Sequence, residues 1–359
     1  SWRCETGPIL FADFMMGETY DARRERDGWD EPLFDDSNWL PVIQVDGPTV
    51  HIPEFGNSNN IHSETTEATP LVAQRREPVR VGETVHPITV NEVKPGTLIY
   101  DLGQNMAGWV ELALDAPAGT QLRLRHGERL KPNGTLYTEN LRRAAATDVY
   151  ISRGDGEVVW EPCFTFHGFQ YLELTGLDEP LPLEKVYGCV VMSSTPRAGE
   201  FECSHPLVNR LWENALWGQK GNFLSVPTDC PQRDERLGWM GDAHVFLRTA
   251  TYNMDVAAFF TKWLTDVCDS QDVDGVFPDV APRIREGDNF VGLDGLGGSA
   301  GWADAGIIVP WTMWRVYGDR RMVERHWDSM VRWLDWLESE NPAGIRSNKL
   351  GNNYGDWLC

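Results

Sequence analysis

Three regimes of hydrophobic patterning follow one another along the chain. From residue 76 to 190, apolar and polar positions alternate with a period of two in TLIYDLG, GWVELAL, TQLRLRHGERL, TDVYISRG and GFQYLELTG. Each run is bounded by Gly, Pro, Asn or Asp, the residues that end strands. Leu122, Leu124 and Leu130, for example, flank arginines and His126. Short strands at this spacing predict a β-sandwich module. Residues 1–75 carry shorter apolar runs among turn formers. In GWDEPLFDDSNWLPV the pattern predicts surface loops pinned by buried Trp29 and Trp39, and NSNNIHSETTEATP reads as a loop or linker.

From residue 191 to 359 the period becomes helical. Ser204 is placed to cap a helix with Pro206 in its first turn, and Leu207, Val208, Leu211, Trp212, Ala215 and Leu216 then share one face. Further helices are predicted over 242–251, 256–268, 303–317 and 320–338. In the last of these, Met322, Val323, His326, Trp327, Met330, Trp333, Leu334 and Leu337 keep the i, i+3, i+4 rhythm, which assigns Trp327 and Trp333 to packing. Eleven of the sixteen tryptophans lie after residue 200. That density suits a helical bundle or toroid whose centre holds a polar ring ligand, although a bulky helical core accounts for most of them. No fixed-period repeat and no low-complexity tract is visible.

Composition narrows the partners. The 359 residues carry a net charge of −22, which repels nucleic-acid phosphates and anionic membrane surfaces and leaves a neutral substrate as the simplest partner. Cys4, Cys163, Cys189, Cys203, Cys230, Cys268 and Cys359 form no CxxC pair, so neither a zinc site nor a disulfide framework is implied. His244 has no second His at ligand spacing, and no cofactor is indicated. No apolar run reaches the length of a membrane span. The chain opens at SWRCETGPIL without an initiator Met and closes at NNYGDWLC without a cap, so it reads as part of a longer protein. Cellular address and oligomeric state are not written in it.

The densest chemistry lies in PTDCPQRDERLGWMGDAHVF, Pro227 to Phe246. Four carboxylates, two arginines, two glycines and a tryptophan fall between Asp229 and Asp242. Pro227 and Pro231 break regular structure, Gly238 and Gly241 permit tight turns, and Asp242 stands where a helix N-cap belongs. Crowding Asp229, Asp234 and Glu235 favours a proton on at least one of them, with Arg233 and Arg236 as compensation. A carboxylic acid kept that way can protonate a leaving oxygen, which is the acid half of glycoside hydrolysis. Charge patterning alone favours the plainer reading, a solvated loop with local ion pairs.

DCPQRDERLGWMGDAHVF resembles the signature of bacterial α-L-rhamnosidases of glycoside hydrolase family seventy-eight. GPILFADFMMGETYDARRERDGWDEPLFDDSNWLPV resembles part of that family's N-terminal β-domain. YDLGQNMAGWVELAL, GERLKPNGTLYTENLR and FTFHGFQYLELTG resemble its β-sandwich module. SAGWADAGIIVPWTMWRVYGD and NNYGDWL resemble later motifs of its helical domain. The resemblance implies β-sandwich modules followed by the first five or so helices of an (α/α)6 toroid, with residues 1–75 as a partial N-terminal β-domain and linker, 76–190 as a β-sandwich module and 191–359 as the first part of the catalytic domain. It implies Glu235 of the DER triplet as general acid and Asp229, Arg233, Trp239, Asp242, Trp302 and Trp357 as rhamnose contacts. Asp234, Asp304 and Asp356 are supporting residues on the same ground. The family inverts configuration with a second glutamate as general base, and that glutamate is expected beyond Cys359. The expected substrate is a glycoside or polysaccharide carrying terminal rhamnose, with no activity from these 359 residues alone. A non-catalytic carbohydrate-binding protein, or an (α/α)6 glycosidase for another sugar, stays open.

Overall fold

The longest alternating run, TLIYDLGQNMAGWVELAL, forms one 18-residue strand rather than the two expected from its pattern. The computed structural model describes residues 2–43, 49–51, 64–68, 73–74, 76–283, 297–346 and 354. Two units emerge. The first gathers Ser1–Val45, Arg80–Met192 and Cys230–Arg236, and the second Asp46–Val79, Ser193–Asp229 and Leu237–Cys359.

The first unit is built on a ten-stranded sheet: β1 (Ile9–Asp13), β2 (Gly17–Asp21), β3 (Val79–Val85), β4 (Thr89–Lys94), β5 (Thr97–Leu114), β6 (Gln121–Gly127), β7 (Thr147–Ile151), β8 (Val158–Trp160), β9 (His167–Thr175) and β10 (Val186–Ser193). Its main order is β1-β2-β7-β6-β9-β5-β10-β3, with β4 and β8 also paired to β5. The long strand changes partners along its length. Thr97–Asp101 lies between β4 and β9, whereas Gly108–Leu112 pairs β10 and Leu112–Leu114 pairs β8. Strands that switch partners at a bend are how sandwiches turn their corners. Gly108 makes the switch possible: its φ is +153°, and a β-carbon there would lie 1.8 Å from the Cys189 carbonyl oxygen.

Period-two patterning translates directly into burial. Leu122, Leu124, Leu172 and Leu174 are fully buried, while Arg123, between the first two, is exposed. Fully burying such a leucine contributes about 1.5–3 kcal/mol. The loops of the N-terminal region differ from expectation. Trp29 is 63% exposed rather than buried, and Trp39 is half-buried, edge-on to Phe34 at 5.4 Å. A turn-rich segment offers too few apolar neighbours to cover a lone indole.

The second unit carries five helices among the described residues: α1 (Pro206–Asn222), α2 (Met240–Asn253), α3 (Ala257–Asp269), α4 (Ala305–Tyr317) and α5 (Arg320–Glu340). Their core includes Phe259, Phe260, Trp263, Leu264 and Trp333, all fully buried. Trp263 Nε1–H donates to the Ala281 carbonyl at 2.9 Å, which makes burial of its indole tolerable. No helix among the described residues is long and apolar enough to cross a membrane.

Four local expectations are corrected. Trp327 is 57% exposed, so only Trp333 of that pair packs in the core. Leu207 and Leu211 of α1 are exposed, and Leu216 is the buried member of the expected face. Ser204 does not cap α1, whose N-cap is His205 without a side-chain bond, although Pro206 does open the helix. Asp242 lies in the first turn of α2 behind Trp239, the actual N-cap. There its charge complements the helix dipole instead of capping a backbone N–H.

Candidate active site

The charged motif is divided between the units. Asp229 and Leu237 belong to the second, and the seven residues between them, Cys230–Arg236, belong to the first. The base of this excursion is closed within the second unit. Asp229 N–H donates to the Leu237 carbonyl at 3.0 Å, and Leu237 N–H donates to Asp229 Oδ1 at 2.9 Å. One carboxylate oxygen of Asp229 therefore fixes backbone.

Arg236 anchors the far end of the excursion within the first unit. It has φ +60° and is 5% exposed. Its guanidinium donates to the carbonyls of Phe14 at 2.5 Å and Phe166 at 2.6 Å, and to those of Gln232 and Arg233 at 3.3 and 3.2 Å. It also lies 4.7 Å from the Phe166 ring centre, within cation–π range. Burial pushes its pKa down to about 10. The expectation that Arg236 compensates the crowded carboxylates is thus corrected, because carbonyl oxygens take up its donors. At Gly168, on β9, a β-carbon would lie 2.7 Å from the Gln232 side chain, so the sheet accepts the excursion only over a bare backbone.

Compensation comes from Arg233, as expected, and from two residues that the motif does not contain. Arg142 Nη1 donates to Glu235 Oε2 at 3.1 Å. Arg143 Nε donates to Asp234 Oδ2 at 2.8 Å, and its backbone N–H reaches the same oxygen at 3.3 Å. Arg233 Nε stands 3.0 Å from Glu235 Oε2. Asp234 and Glu235 are thus met by guanidiniums, Asp234 by Arg143 and Glu235 by Arg142 and Arg233. The Glu235 side chain is 14% exposed and that of Asp234 8%. The only hint in the sequence is the doubled Arg of ENLRR, and spacing cannot connect residues 93 and 91 positions apart.

The second unit presents a cavity of about 670 Å³ whose walls include Asp229, Gly241, Asp242, His244, Phe246 and Trp302. That volume is in the range of small-molecule sites. Trp239 and Trp302 share a cluster with Tyr354, whose ring lies 6.0 Å from the first, edge-on, and 4.1 Å from the second. Tyr354 is held in turn by its hydroxyl, 3.0 Å from Asp279 Oδ2. Asp279 is fully buried, and burial pushes its carboxyl above the usual range against the hydrogen bonds from Ser299 and Tyr354. Gly238 and Gly241 do not supply left-handed turns. A β-carbon on Gly238 would lie 2.1 Å from the Ala281 carbonyl, and one on Gly241 2.7 Å from the Trp302 ring, so close approach is their reason. Asp304 precedes α4, accepts from Gly301 N–H at 2.9 Å and faces Arg346 at 3.7 Å. Trp357 and Asp356 lie outside the described residues.

Among the described residues, one fully buried trio has metal-ligand chemistry: His126, Asp148 and His167. The two imidazoles stack at 4.2 Å with 21° between planes. An ion would have to lie near both ring planes at once, which near-parallel rings do not allow. His167 Nε2 is 3.0 Å from Asp148 Oδ2, and Asp148 also accepts from Glu18 N–H at 2.9 Å. This is a hydrogen-bonded tie between strands.

Comparison with known proteins agrees with the β-then-α architecture. Residues 1–83 match the family model of the alpha-L-rhamnosidase N-terminal domain. Residues 91–192 match the bacterial alpha-L-rhamnosidase concanavalin-like domain, and residues 196–359 the bacterial alpha-L-rhamnosidase 6 hairpin glycosidase domain. An alpha-L-rhamnosidase of Streptomyces avermitilis is 47% identical over 357 residues, covering 99% of this chain and 32% of that protein. A crystal structure of Streptomyces avermitilis alpha-L-rhamnosidase complexed with L-rhamnose superposes with a TM-score of 0.87 at 46% identity, over 99% of this chain and 32% of that one. The structure of the alpha-L-rhamnosidase from Dictyoglumus thermophilum gives 0.84 at 36% identity, over 96% and 36% of the two chains. The chain spans about a third of the length of the curated relatives it matches.

Proposed function

We propose the following from one premise: this chain belongs to the bacterial α-L-rhamnosidase family. The whole protein hydrolyses glycosides or polysaccharides that end in α-L-rhamnose, with inversion at the anomeric carbon. Glu235 is the general acid. Its proton passes to the glycosidic oxygen as the C1–O bond breaks, while a water attacks the opposite face of the sugar. A carboxylate supplied from outside these 359 residues takes the proton of that water. Inverting pairs stand roughly 6.5–9.5 Å apart so that the water fits between them.

The observation that carries this reading is the DCPQRDERLGWMGD motif, with Glu235, in a chain that matches alpha-L-rhamnosidase domains along its length. The Glu235 carboxyl is mostly withdrawn from solvent, beside Arg142 at 3.1 Å and Arg233 at 3.0 Å. A solvated charged loop, the plain alternative, would leave such a side chain exposed. Asp229, Arg233 and Asp242 are assigned to sugar hydroxyls, and Trp239, Trp302 and Trp357 to the apolar face of the ring. Asp234, Asp304 and Asp356 support them. Residues 1–75, 76–190 and 191–359 act as partial N-terminal β-domain and linker, β-sandwich module and first part of the catalytic domain. With one carboxylate of the pair, the 359 residues alone do not turn over substrate.

The test is turnover of p-nitrophenyl α-L-rhamnoside by the whole protein, with NMR detection of the first anomer released. Appearance of the inverted anomer is expected. Rhamnose binding without hydrolysis would overturn the reading in favour of a carbohydrate-binding protein.

A further inference from the structure

Arg142 has a strained backbone conformation. It ends a short 3-10 turn, Glu139–Leu141, with φ +56° and ψ −115°. A region so sparsely populated by non-glycine residues is held only where the surrounding structure over-determines it. The Arg142 side chain is 55% exposed, whereas the Glu235 side chain it meets is 14% exposed. What the strain secures is a place: a guanidinium 3.1 Å from Oε2 of Glu235.

Two ion-pair contacts of that carboxyl, from Arg142 and from Arg233, fall on Oε2. A guanidinium only donates, so a proton on Oε2 would face donors with no acceptor among them. The neighbouring Arg143 fixes Asp234 by side chain and backbone together, and Arg236 ties the end of the segment to two carbonyls. The turn at residues 139–143 therefore holds the acid-bearing segment in register, residue against residue.

We propose that Arg142 is a positioning residue for the general acid, holding Glu235 by Oε2 so that its carboxyl meets the leaving oxygen in one orientation. The proposal rests on the reading of Glu235 as general acid. It assigns the β-sheet unit a part in proton delivery, through a residue that contacts the acid.

Leaving-group dependence tests it, because protonation matters for a poor leaving group and hardly at all for dinitrophenolate. In the whole protein, Arg142→Gln is expected to lower kcat about 10- to 100-fold on an alkyl α-L-rhamnoside and less than about 3-fold on 2,4-dinitrophenyl α-L-rhamnoside, part of the acid contribution of about 10²–10⁴. KM stays within about 2-fold, and Arg142→Lys recovers part of the loss. Equal losses on both substrates, or none on either, would overturn the proposal. Should Arg142→Gln fail to fold, the same comparison made on Arg142→Lys decides. The underlying reading is checked apart, with Glu235→Gln on the same two substrates. If that variant shows no leaving-group dependence, Glu235 is not the acid and the fault lies with the reading.

Discussion

Gly241 lies so close to Trp302 that the indole occupies the space a side chain would need, 2.7 Å from an ideal β-carbon. Both residues line the cavity in the second unit. The first turn of α2 thus sets the depth at which this tryptophan stands, and a single methyl group would displace it. Gly241→Ala is expected to raise KM for aryl rhamnosides about 10-fold, with destabilisation of about 1–3 kcal/mol from overpacking. Kinetics and thermal melting of the whole protein check it. An unchanged KM would show that Trp302 does not face the sugar.

Arg236 is the second fixed point. Its guanidinium is buried against four carbonyl oxygens, so removing it leaves acceptors without donors. Arg236→Met is expected to cost about 2–5 kcal/mol in chemical denaturation, in the range for dissolving a buried charged network. Arg236→Lys recovers little, because one ammonium cannot span the same set of carbonyls. A loss below about 1 kcal/mol for Arg236→Met would show that the segment is held by other contacts.

The buried trio gives the protein a pH signature. Burial, reinforced by the neighbouring His167, pushes His126 from its ordinary 6.5 to about 3, against the opposing pull of Asp148. Between those values the unfolded chain binds a proton that the folded chain refuses. Stability is full above pH 6.5 and falls as pH drops towards 3, by at most about 1.4 kcal/mol per pH unit for one proton. Asp148, held below the usual carboxylate range by the two histidines despite its burial, adds acid sensitivity below 3.8. Urea denaturation of the whole protein at pH 7, 6 and 5 is expected to show decreasing stability, with a shallower slope in His126→Phe. The same slope in that variant would assign the acid sensitivity to other groups.

Helices were the most legible part of the sequence, because a 3.6 period over many residues leaves little choice. The reading of 320–338 compares with Arg320–Glu340, and that of 303–317 with Ala305–Tyr317. Period alone does not say which face is covered. Trp327 shares the rhythm of Trp333 and is exposed, and Leu207 shares that of Leu216. At the candidate site, the motif contains Glu235, Asp234 and one partner, Arg233, but not the other two. Arg142 and Arg143 reach them across 93 and 91 residues, a relation created by the folding of the sheet unit. Arg236 was misread for the same reason. Its neighbours in sequence are carboxylates, but its neighbours in space are carbonyls of Phe14 and Phe166.

The central claim is that Glu235 donates the proton, and Glu235→Gln in the whole protein tests it most directly. The amide keeps the shape of the side chain and cannot supply the proton. Hydrolysis of p-nitrophenyl α-L-rhamnoside is expected to fall about 10²- to 10⁴-fold, with unchanged melting behaviour and retained affinity for rhamnose. Near-normal turnover by that variant would contradict the account.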